Sequence, residues 1–415
     1  MKKILTLLLA LWMLTGCVAM AAGNQLVVGS TTAMSGAFFT DLFGSNTADM
    51  DVRALLHGYN LMSWDNETGT YQINDSVVAG MAVSRDAQNN RVYTFDLYGD
   101  LKFSDGSAIT AKDYAFSILL TASPELAKLG GQSAAVGAIL GMDAYRSGKS
   151  SVLRGVRLLS DTQMSITISK AYEPYFYEMA LFDYSPYPIS VLAPGCKVVD
   201  TEKGVGIVNA GGTGDAIFTA DLLQKTILDA ATGYMSHPSV VSGPYTLTSY
   251  DAQRGTASFA INPYYKGNED GEKPTIETIV YRTVANDEAI DLLLSGEVDL
   301  LNKMVAADTI SKGIQSTANQ PFSVANYPRS GLSMISFSCE RQTVSGKAVR
   351  QAIASCFDRD ALVKAYTGNF GLKANGYFGI GQWMYQLAAG TIQPPVVDLP
   401  ANATAKETAA YEKTV

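Results

Sequence analysis

Segments with the two-residue period of a β-strand alternate along this 415-residue chain with segments that have the period of a helix. Residues 93–97 (YTFDL) and 164–168 (MSITI) alternate apolar and polar side chains, which predicts half-buried strands. Between them, Thr110 and Asp113 have the spacing of a capping box before the apolar helical segment 114–120. No repeat of fixed length is visible, so the alternation predicts a mixed α/β fold and not a solenoid.

A glycine-rich stretch at residues 196–214 interrupts this alternation. Its segment GVGIVN only partly matches the dinucleotide-binding fingerprint, because the third glycine and a following helix start are missing. We therefore expect a long surface loop in this stretch, and we expect no cofactor.

Composition excludes several classes of protein. Hydrophobic residues make up 47% of the chain and charged residues 17%, which is typical of globular and not of disordered proteins. The net charge of −8 opposes binding to phosphate backbones, so we expect no nucleic-acid partner. The two histidines, His57 and His237, lie too far apart in sequence to form a helical metal-binding pair, so we expect packing or surface roles for them and no metal site.

The first residues indicate export. Two lysines precede an apolar run at residues 4–14, which is shorter than the ~20 residues of a membrane-spanning helix and typical of a signal peptide. The run ends in LTGC, which resembles a bacterial lipobox and predicts a signal peptide of residues 1–16 followed by acylation of Cys17. The alternative is cleavage by ordinary signal peptidase after the Ala-x-Ala pattern at residues 19–21, which leaves no anchor.

Both alternatives place the mature chain outside the cytoplasm. No apolar stretch after residue 21 is long enough to span a bilayer, so attachment to a membrane depends on the lipid at Cys17. The expected location is the outer face of the bacterial cytoplasmic membrane, which faces the periplasm in a Gram-negative cell.

The other cysteines are Cys196, Cys339 and Cys356, so at most one internal disulfide can form. Residues 335–339 have strand alternation and residues 349–356 have helical spacing, and the sulfur atoms of Cys339 and Cys356 could meet on their apolar faces. Two buried free thiols are the alternative, because cysteine is often buried and a sequence does not give the distance between two sulfur atoms.

Four segments carry turn and cap residues in a distinctive order. They are residues 92–117 with Phe-Ser-Asp-Gly, 242–267 with Gly-Pro-Tyr and Asn-Pro-Tyr-Tyr, 276–301, and 349–368 with Arg-Gln-Ala and Asp-Arg. Together they resemble the extracellular solute-binding protein family 5, the receptors of bacterial oligopeptide, dipeptide and nickel ABC importers. Each segment consists of turns, caps and apolar faces, so the resemblance identifies a fold and not a ligand.

The resemblance implies a two-lobed, periplasmic-binding-protein-like fold of type II, α/β in class, that closes around its ligand. A monomer anchored by its lipid would deliver that ligand to an ABC permease and ATPase complex. The implied domains are a first lobe of residues 17–66 and 165–283, an inserted subdomain of residues 67–164, and a second lobe of residues 284–415. Family members are longer than this chain, so we expect an incomplete second lobe, as in a truncated product. The family's ligand-ammonium aspartate, in a Trp-x-x-Asp-Tyr-like motif, has no match in this sequence.

The resemblance also indicates candidate ligand contacts in the first lobe. In the family, the loop after the first strand faces the cleft, and in this chain that loop contains Thr32, Met34, Ser35, Gly36 and Phe38. Backbone amides beside a glycine can bind a peptide main chain, which would permit many ligand sequences. The alternative is a surface loop whose phenylalanines fill the interior of the lobe.

Further candidates come from the second lobe. Trp383 and Tyr385 lie where the family's second lobe approaches its ligand, and their rings could cover peptide side chains or pack within a lid. Arg350 could pair with a ligand carboxylate, but on an amphipathic helix a structural salt bridge is the more frequent role.

Peptide is the ligand that the resemblance favours, because most members of the family bind peptides. Nickel, haem or an oligosaccharide is the alternative within the same fold, and a peptide-sensing surface lipoprotein without transport is a further one. An enzyme is not indicated, since the sequence has no G-x-S-x-G elbow, no H-E-x-x-H pair and no recognisable Cys-His pairing.

Overall fold

The computed structural model describes residues 24–65, 70–132, 137–175, 177–317, 321–327, 331–368, 370–374 and 376–391. These residues form two compact units. Unit 1 contains residues up to 63 and residues 71–303, and unit 2 contains residues 64, 65 and 70 and those from 304 onwards. Strands and helices interleave in unit 1, which confirms the predicted mixed α/β class. The predicted signal peptide and Cys17 lie outside the described residues.

The described chain contains short elements with many connections. The strands are β1 Gln25–Ser30, β2 Met62–Asp65, β3 Thr70–Ile73, β4 Val78–Arg85, β5 Arg91–Leu97, β6 Val152–Leu153, β7 Val156–Leu158, β8 Gln163–Ile168, β9 Cys196–Thr201, β10 Gly204–Asn209, β11 Tyr245–Asp251, β12 Thr256–Ile261, β13 Thr278–Thr283 and β14 Leu300–Leu301. The helices are α1 Thr47–Leu56, α2 Ala111–Thr121, α3 Pro124–Lys128, α4 Met142–Arg146, α5 Ile189–Leu192, α6 Ala220–Thr226, α7 Ala289–Ser295, α8 Ala307–Thr317, α9 Lys347–Ser355, α10 Arg359–Thr367 and α11 Trp383–Ala388. Short 3-10 helices lie at Lys170–Tyr172, Glu178–Phe182 and Gln342–Val344. Within the described ranges, no helix is both long enough and apolar enough to cross a membrane.

A five-stranded mixed sheet with strand order β11-β12-β13-β1-β14 organises one core of unit 1. β1 lies parallel to β13 and β14, whereas β12 is antiparallel to both of its neighbours. Val52 and Leu56 of α1 are fully buried in the same cluster as Phe259 of β12. Burial of such a side chain stabilises the fold by about 1.5–3 kcal/mol.

The pairing of β14 with β1 places residues 284–303 in unit 1. The sequence analysis, in contrast, predicted that the second lobe begins at residue 284. The predicted lobes and inserted subdomain stay predictions.

The second core of unit 1 contains the antiparallel sheet β4-β5-β8-β7 and helix α2. The two strands predicted at residues 93–97 and 164–168 are confirmed as parts of β5 and β8, which pair with each other. The predicted capping residues also meet, since an Asp113 carboxylate oxygen accepts hydrogen bonds from the backbone N–H (2.8 Å) and the hydroxyl (2.9 Å) of Thr110.

The glycine-rich stretch does not form the long surface loop that the sequence predicted. β9 and β10 pair as an antiparallel hairpin, and β6 pairs with the other edge of β10. A Cβ atom on Gly204, whose φ is +130°, would lie 2.3 Å from the carbonyl oxygen of Leu153, so the glycine permits close approach of two backbones. The prediction was wrong because glycine in a strand can mark such an approach as well as a loop. The hairpin turn at residues 201–203 and the following residues 210–217 are exposed throughout.

The turn motifs of the sequence meet at the C-terminal end of α1. The backbone N–H of Gly243 donates to the carbonyl of Leu56 over 2.8 Å, and the side-chain amide of Asn262 donates to the carbonyl of Gly243 over 2.9 Å. Ser104, in the Phe-Ser-Asp-Gly turn, donates its N–H to the carbonyl of Val241 (2.8 Å), and its hydroxyl accepts from the N–H of Val241 (3.0 Å). These motifs therefore join α1, the five-stranded sheet and the segment that leads into α2.

Unit 2 exposes apolar side chains on its helices. The helix predicted at residues 349–356 is confirmed in large part as α9, but neither α9 nor α10 contains a buried residue, and Val349 is 45% exposed. The strand predicted at residues 335–339 is wrong: residues 331–338 form no strand, because no other described segment pairs with their backbone groups. Cys339 and Cys356 are exposed free thiols, and Cys196 in unit 1 is a buried one.

The joint at Gly243 generates a prediction about stability. A Cβ atom there would lie 2.5 Å from the carbonyl carbon of Leu56, so the substitution Gly243→Ala must displace the end of α1. We expect the free energy of unfolding, measured in urea, to fall by about 2–3 kcal/mol. Gly211→Ala is the matched control, because a Cβ atom there meets nothing within 4 Å, and it should change stability by less than about 0.5 kcal/mol. An equal loss in the two variants would contradict the role given to Gly243.

Candidate functional site

The parallel strands β1, β13 and β14 end at the same edge of the five-stranded sheet. Thr283, at the end of β13, lies opposite Ser30, at the end of β1, and the backbone N–H of Asn302 donates to the carbonyl of Gly29 over 2.9 Å. Ligands of α/β folds bind outside the carboxyl ends of such strands. Residues 31–40, which follow β1 and which we call the edge loop, are therefore the candidate ligand-binding element of unit 1.

One face of α1 and its caps carries four polar side chains that contact the edge loop. We call Asn46, Asp49, Arg53 and His57 the polar stripe. They are spaced by three, four and four residues, and side chains with this spacing lie on one side of a helix. Asn46 caps the helix by accepting from the backbone N–H groups of residues 48 and 49, each over 3.0 Å.

The first half of the polar stripe binds the first half of the edge loop. The amide of Asn46 donates to the carbonyl of Ala33 over 2.8 Å. The carboxylate of Asp49 accepts from the N–H of Ser35 (2.8 Å), the hydroxyl of Ser35 (2.6 Å) and the N–H of Gly36 (3.2 Å). Asp49 is 0% exposed, so these donors replace the water that its charge would otherwise require.

The second half of the polar stripe continues the same pattern. The guanidinium of Arg53 donates to the carbonyl of Ala37 over 2.8 Å, and Nε2 of His57 lies 2.9 Å from the carbonyl of Phe38. Because a carbonyl only accepts, Nε2 must carry the proton. The backbone of the edge loop is thus bound by the stripe in sequence order, from Ala33 to Phe38.

The imidazole of His57 lies among aromatic rings. Its centroid is 5.9 Å from that of Phe39, 6.4 Å from Tyr187 and 6.2 Å from Tyr234. Burial, opposed by the hydrogen bond to Phe38 and assisted by the charge of Arg53, lowers the pKa of His57 to about 4. His57 therefore stays neutral at physiological pH. The packing role expected from the sequence agrees with this position, although the contact with the edge loop was not foreseen.

The structure places the predicted loop contacts in two kinds of position. Met34 and Phe38 are buried in the core beneath the sheet, and Gly36 is also buried. Thr32 is half-buried and Ser35 is exposed, so these two reach the surface of the edge loop. The N–H groups of Ser35 and Gly36 already donate to Asp49. Contact of these five residues with a ligand stays a prediction.

The remaining predicted contacts lie in unit 2. Trp383 and Tyr385 belong to α11, and Tyr385 is half-buried. The guanidinium of Arg350 donates to the carbonyls of Val344 (2.9 Å) and Ser345 (2.6 Å), so it ties the start of α9 to the preceding turn. Among the described residues, no group of three or more His, Cys, Asp or Glu side chains is placed to hold a metal ion.

Sequence reasoning did not identify the two aspartates that organise this edge. Asp49 binds the edge loop, and Asp51 accepts hydrogen bonds from the hydroxyl of Tyr281 (2.9 Å) and the amide of Asn302 (2.7 Å) and pairs with Lys303. The regular spacing of the polar stripe could have been recognised in the sequence. The residues that the stripe binds could not have been predicted, because they lie in an irregular segment.

Comparison with known proteins confirms the resemblance. Residues 76–407 match the sequence pattern of the bacterial extracellular solute-binding proteins, family 5, middle region. The periplasmic oligopeptide-binding protein OppA of Escherichia coli strain K12 is 24% identical over 305 residues, which are 72% of this chain and 48% of OppA. The chain thus spans about half the length of the curated relatives it matches.

Solved structures agree on the fold. Haemophilus influenzae OppA in complex with RPPGFSPFR has a TM-score of 0.57 at 15% identity, with 91% of this chain and 64% of that chain covered. NikZ from Campylobacter jejuni in complex with Ni(L-His) has a TM-score of 0.54 at 15% identity, with 85% and 57% covered. This likeness supports the two-lobed, periplasmic-binding-protein-like fold.

The position of His57 predicts how stability depends on pH. The unfolded chain binds a proton at the ordinary histidine pKa of 6.5, whereas the folded chain does so only near pH 4. The free energy of unfolding should therefore fall as the pH drops from about 6.5 to about 4, and His57 should account for at most about 3 kcal/mol of the loss. In urea titrations across this range, His57→Gln should flatten the fall.

Asp113 provides a control of opposite sign. Burial raises its pKa to about 6, so its protonation favours the folded state as the pH drops from about 6 towards 3.8. Asp113→Asn should therefore steepen the loss of stability in acid. If His57→Gln left the pH dependence unchanged, the ring would not be held neutral as described.

Proposed function

The chain belongs to the bacterial extracellular solute-binding proteins, family 5, and we propose that it captures peptides outside the cell and delivers them to the permease and ATPase of an ABC transporter. The observation that carries the proposal is the family match over residues 76–407. The E. coli relative named as oligopeptide-binding supports peptide as the ligand. In this proposal the protein binds its ligand as a monomer and catalyses no reaction.

The edge loop is suited to this task. Its backbone is fixed by the polar stripe before any ligand arrives, and a preorganised element lowers the entropy lost on binding. Its surface residues Thr32 and Ser35 present a hydroxyl each to a peptide main chain; the hydroxyl of Ser35 donates its proton to Asp49 and can only accept from a ligand. We propose that the ligand contacts are Thr32, Met34, Ser35, Gly36 and Phe38 of the edge loop and Trp383 and Tyr385 of α11. Met34, Gly36 and Phe38 would act through their backbone or by holding the loop.

Membrane attachment is the next part of the proposal. The LTGC sequence supports removal of residues 1–16 and acylation of Cys17, which would hold the protein at the outer face of the cytoplasmic membrane. A receptor held there would release its ligand close to a permease. We also propose the first lobe at residues 17–66 and 165–283, the inserted subdomain at 67–164, and the second lobe from residue 284.

Thermal melting with ligand tests the proposal. The protein is heated with and without a pool of di- to hexapeptides while tryptophan fluorescence is followed. At a peptide concentration about 100-fold above Kd, the Tm should rise by about 4 °C, because the ligand stabilises the folded state alone. No rise with peptides, together with a rise on adding nickel, haem or oligosaccharides, would contradict a peptide receptor and favour another ligand of the same fold.

A bulky residue at the surface of the edge loop tests the proposed contacts. Thr32→Trp should raise Kd for a bound peptide at least about tenfold by filling space that the main chain needs, while the Tm without peptide changes little. Leu159→Trp is the control, because Leu159 is 53% exposed in a turn of the four-stranded sheet. If Thr32→Trp bound peptide like the control, the edge loop would not be a ligand contact.

A further inference from the structure

A second group of polar side chains, outside the polar stripe, lies against the edge loop. Gly36 marks the contact, because a Cβ atom there would lie 3.4 Å from the Cβ of Ser236 and 3.5 Å from the hydroxyl of Tyr250. The backbone N–H of Phe38 donates to the carbonyl of Met235 over 2.9 Å. The rings of Phe38 and Tyr250 pack edge to face, with their centroids 4.6 Å apart.

We call Ser236, His237 and Tyr250 the side wall of the edge loop. Oγ of Ser236 lies 3.0 Å from Nδ1 of His237, and the ring centroids of His237 and Tyr250 are 6.5 Å apart. All three side chains are half-buried. The side wall therefore extends the polar surface that Thr32 and Ser35 begin.

The sheet places Tyr250 at the same edge as the edge loop. β11 is antiparallel to β12, and β12 is antiparallel to β13, so β11 runs in the same direction as β13 and β1. Tyr250 is the last residue but one of β11, so it lies where these strands have their carboxyl ends. Ligands of α/β folds bind outside such an edge.

The turn that carries Ser236 and His237 is held by backbone hydrogen bonds. The N–H of Met235 donates to the carbonyl of Ile227, directly after α6, over 2.9 Å, and the N–H of His237 donates to the carbonyl of Gly233 over 3.0 Å. The third member of the side wall belongs to a strand. All three are thus fixed before a ligand arrives, which lowers the entropy lost on binding.

Two polar groups of the side wall have no hydrogen-bond partner in the part of the chain that the structure describes. They are the hydroxyl of Tyr250 and Nε2 of His237. Polar groups in such half-buried positions bond to water when the protein offers no partner, and a ligand can replace that water. Burial and the charge of Asp49 raise the pKa of Tyr250, so its hydroxyl keeps its proton and can donate.

We propose that the side wall is a further ligand-binding surface, on which the hydroxyl of Tyr250 and Nε2 of His237 bind main-chain groups of a peptide. The proposal rests on the proposed function, because it takes a peptide as the ligand. The amides and carbonyls of a main chain are uncharged and are present whatever the side chains are. A tyrosine hydroxyl and an imidazole nitrogen can each pair with such groups without a formal charge. The side wall therefore accepts peptides of many sequences.

Two substitutions remove these groups and keep an aromatic ring in place. For peptides from the pool of di- to hexapeptides that raise the Tm, Tyr250→Phe and His237→Phe should each raise Kd about three- to tenfold, as expected for the loss of one neutral hydrogen bond. His237→Gln keeps a side-chain amide that can donate or accept, so it should bind more tightly than His237→Phe. Unchanged affinity in Tyr250→Phe or His237→Phe would overturn the proposal.

Tyr98→Phe is the matched control, because it removes the same hydroxyl from a tyrosine that is 39% exposed and directly follows β5 in the second core of unit 1. This variant should bind peptide like the wild type. An equal loss of affinity in Tyr98→Phe and Tyr250→Phe would show that the effect does not come from the side wall.

A comparison of two peptides tests whether the main chain is the group that is bound. For two peptides of equal length and different sequence, Tyr250→Phe should raise Kd by the same factor to within about twofold. A loss confined to one of the two peptides would mean that the side wall binds a side chain, which contradicts the proposal.

Amide exchange of the ligand-free protein separates ligand contact from support of the loop. The polar stripe holds residues 33–38, so their exchange in Tyr250→Phe and His237→Phe should match the wild type. Faster exchange there would make the side wall a support of the loop and refute its role as a contact. If the wild type binds peptide and the two variants bind equally well, this proposal alone fails, whereas a wild type that binds no peptide refutes the proposed function as well.

Discussion

The position of the edge loop in unit 1 depends on hydrogen bonds between side chains of α1 and the backbone of the loop. The edge loop belongs to no strand or helix, yet much of it is buried, and buried backbone groups need partners. The polar stripe provides them. Phe38 and Met34 can then be buried while Thr32 and Ser35 reach the surface.

The motifs that identify the family serve the same helix. Gly243 and Asn262 fix the C-terminal end of α1, and Ser104 connects this joint to the segment before α2. None of these residues lies in the edge loop. They fix α1, and α1 in turn binds the edge loop. The motifs therefore specify the fold and do not determine the ligand.

Local patterns predicted much of the fold. The strands at 93–97 and 164–168, the capping residues Thr110 and Asp113, and the helix α9 depend on neighbours in sequence, and the structure contains all of them. The errors arose where the structure of a segment depends on pairing with another segment far away in the sequence. The hairpin of β9 and β10 requires β6 beside it, and residues 331–338 form no strand because a strand needs a partner that the described residues do not supply. The sequence indicated the loop after β1 as a ligand contact, which stays a prediction, and it did not reveal the roles of Asp49 and Asp51, because these depend on tertiary contacts.

Side chains of α1 make two sets of contacts. The polar stripe binds the edge loop, which is proposed to contact the ligand, and Asp51 pairs with Lys303 at the end of unit 1. A change in the polar stripe should therefore affect the edge loop without altering the sheet itself.

Residue-resolved amide exchange of the edge loop tests the central claim most directly. Ser35 is exposed and lies in an irregular segment, so without the polar stripe its N–H should exchange as fast as those of the exposed residues 213–215. With the stripe, the N–H groups of Ser35 and Gly36 donate to the buried carboxylate of Asp49, and we expect exchange at least about 100-fold slower than in residues 213–215. Equal rates in the two segments would contradict the account.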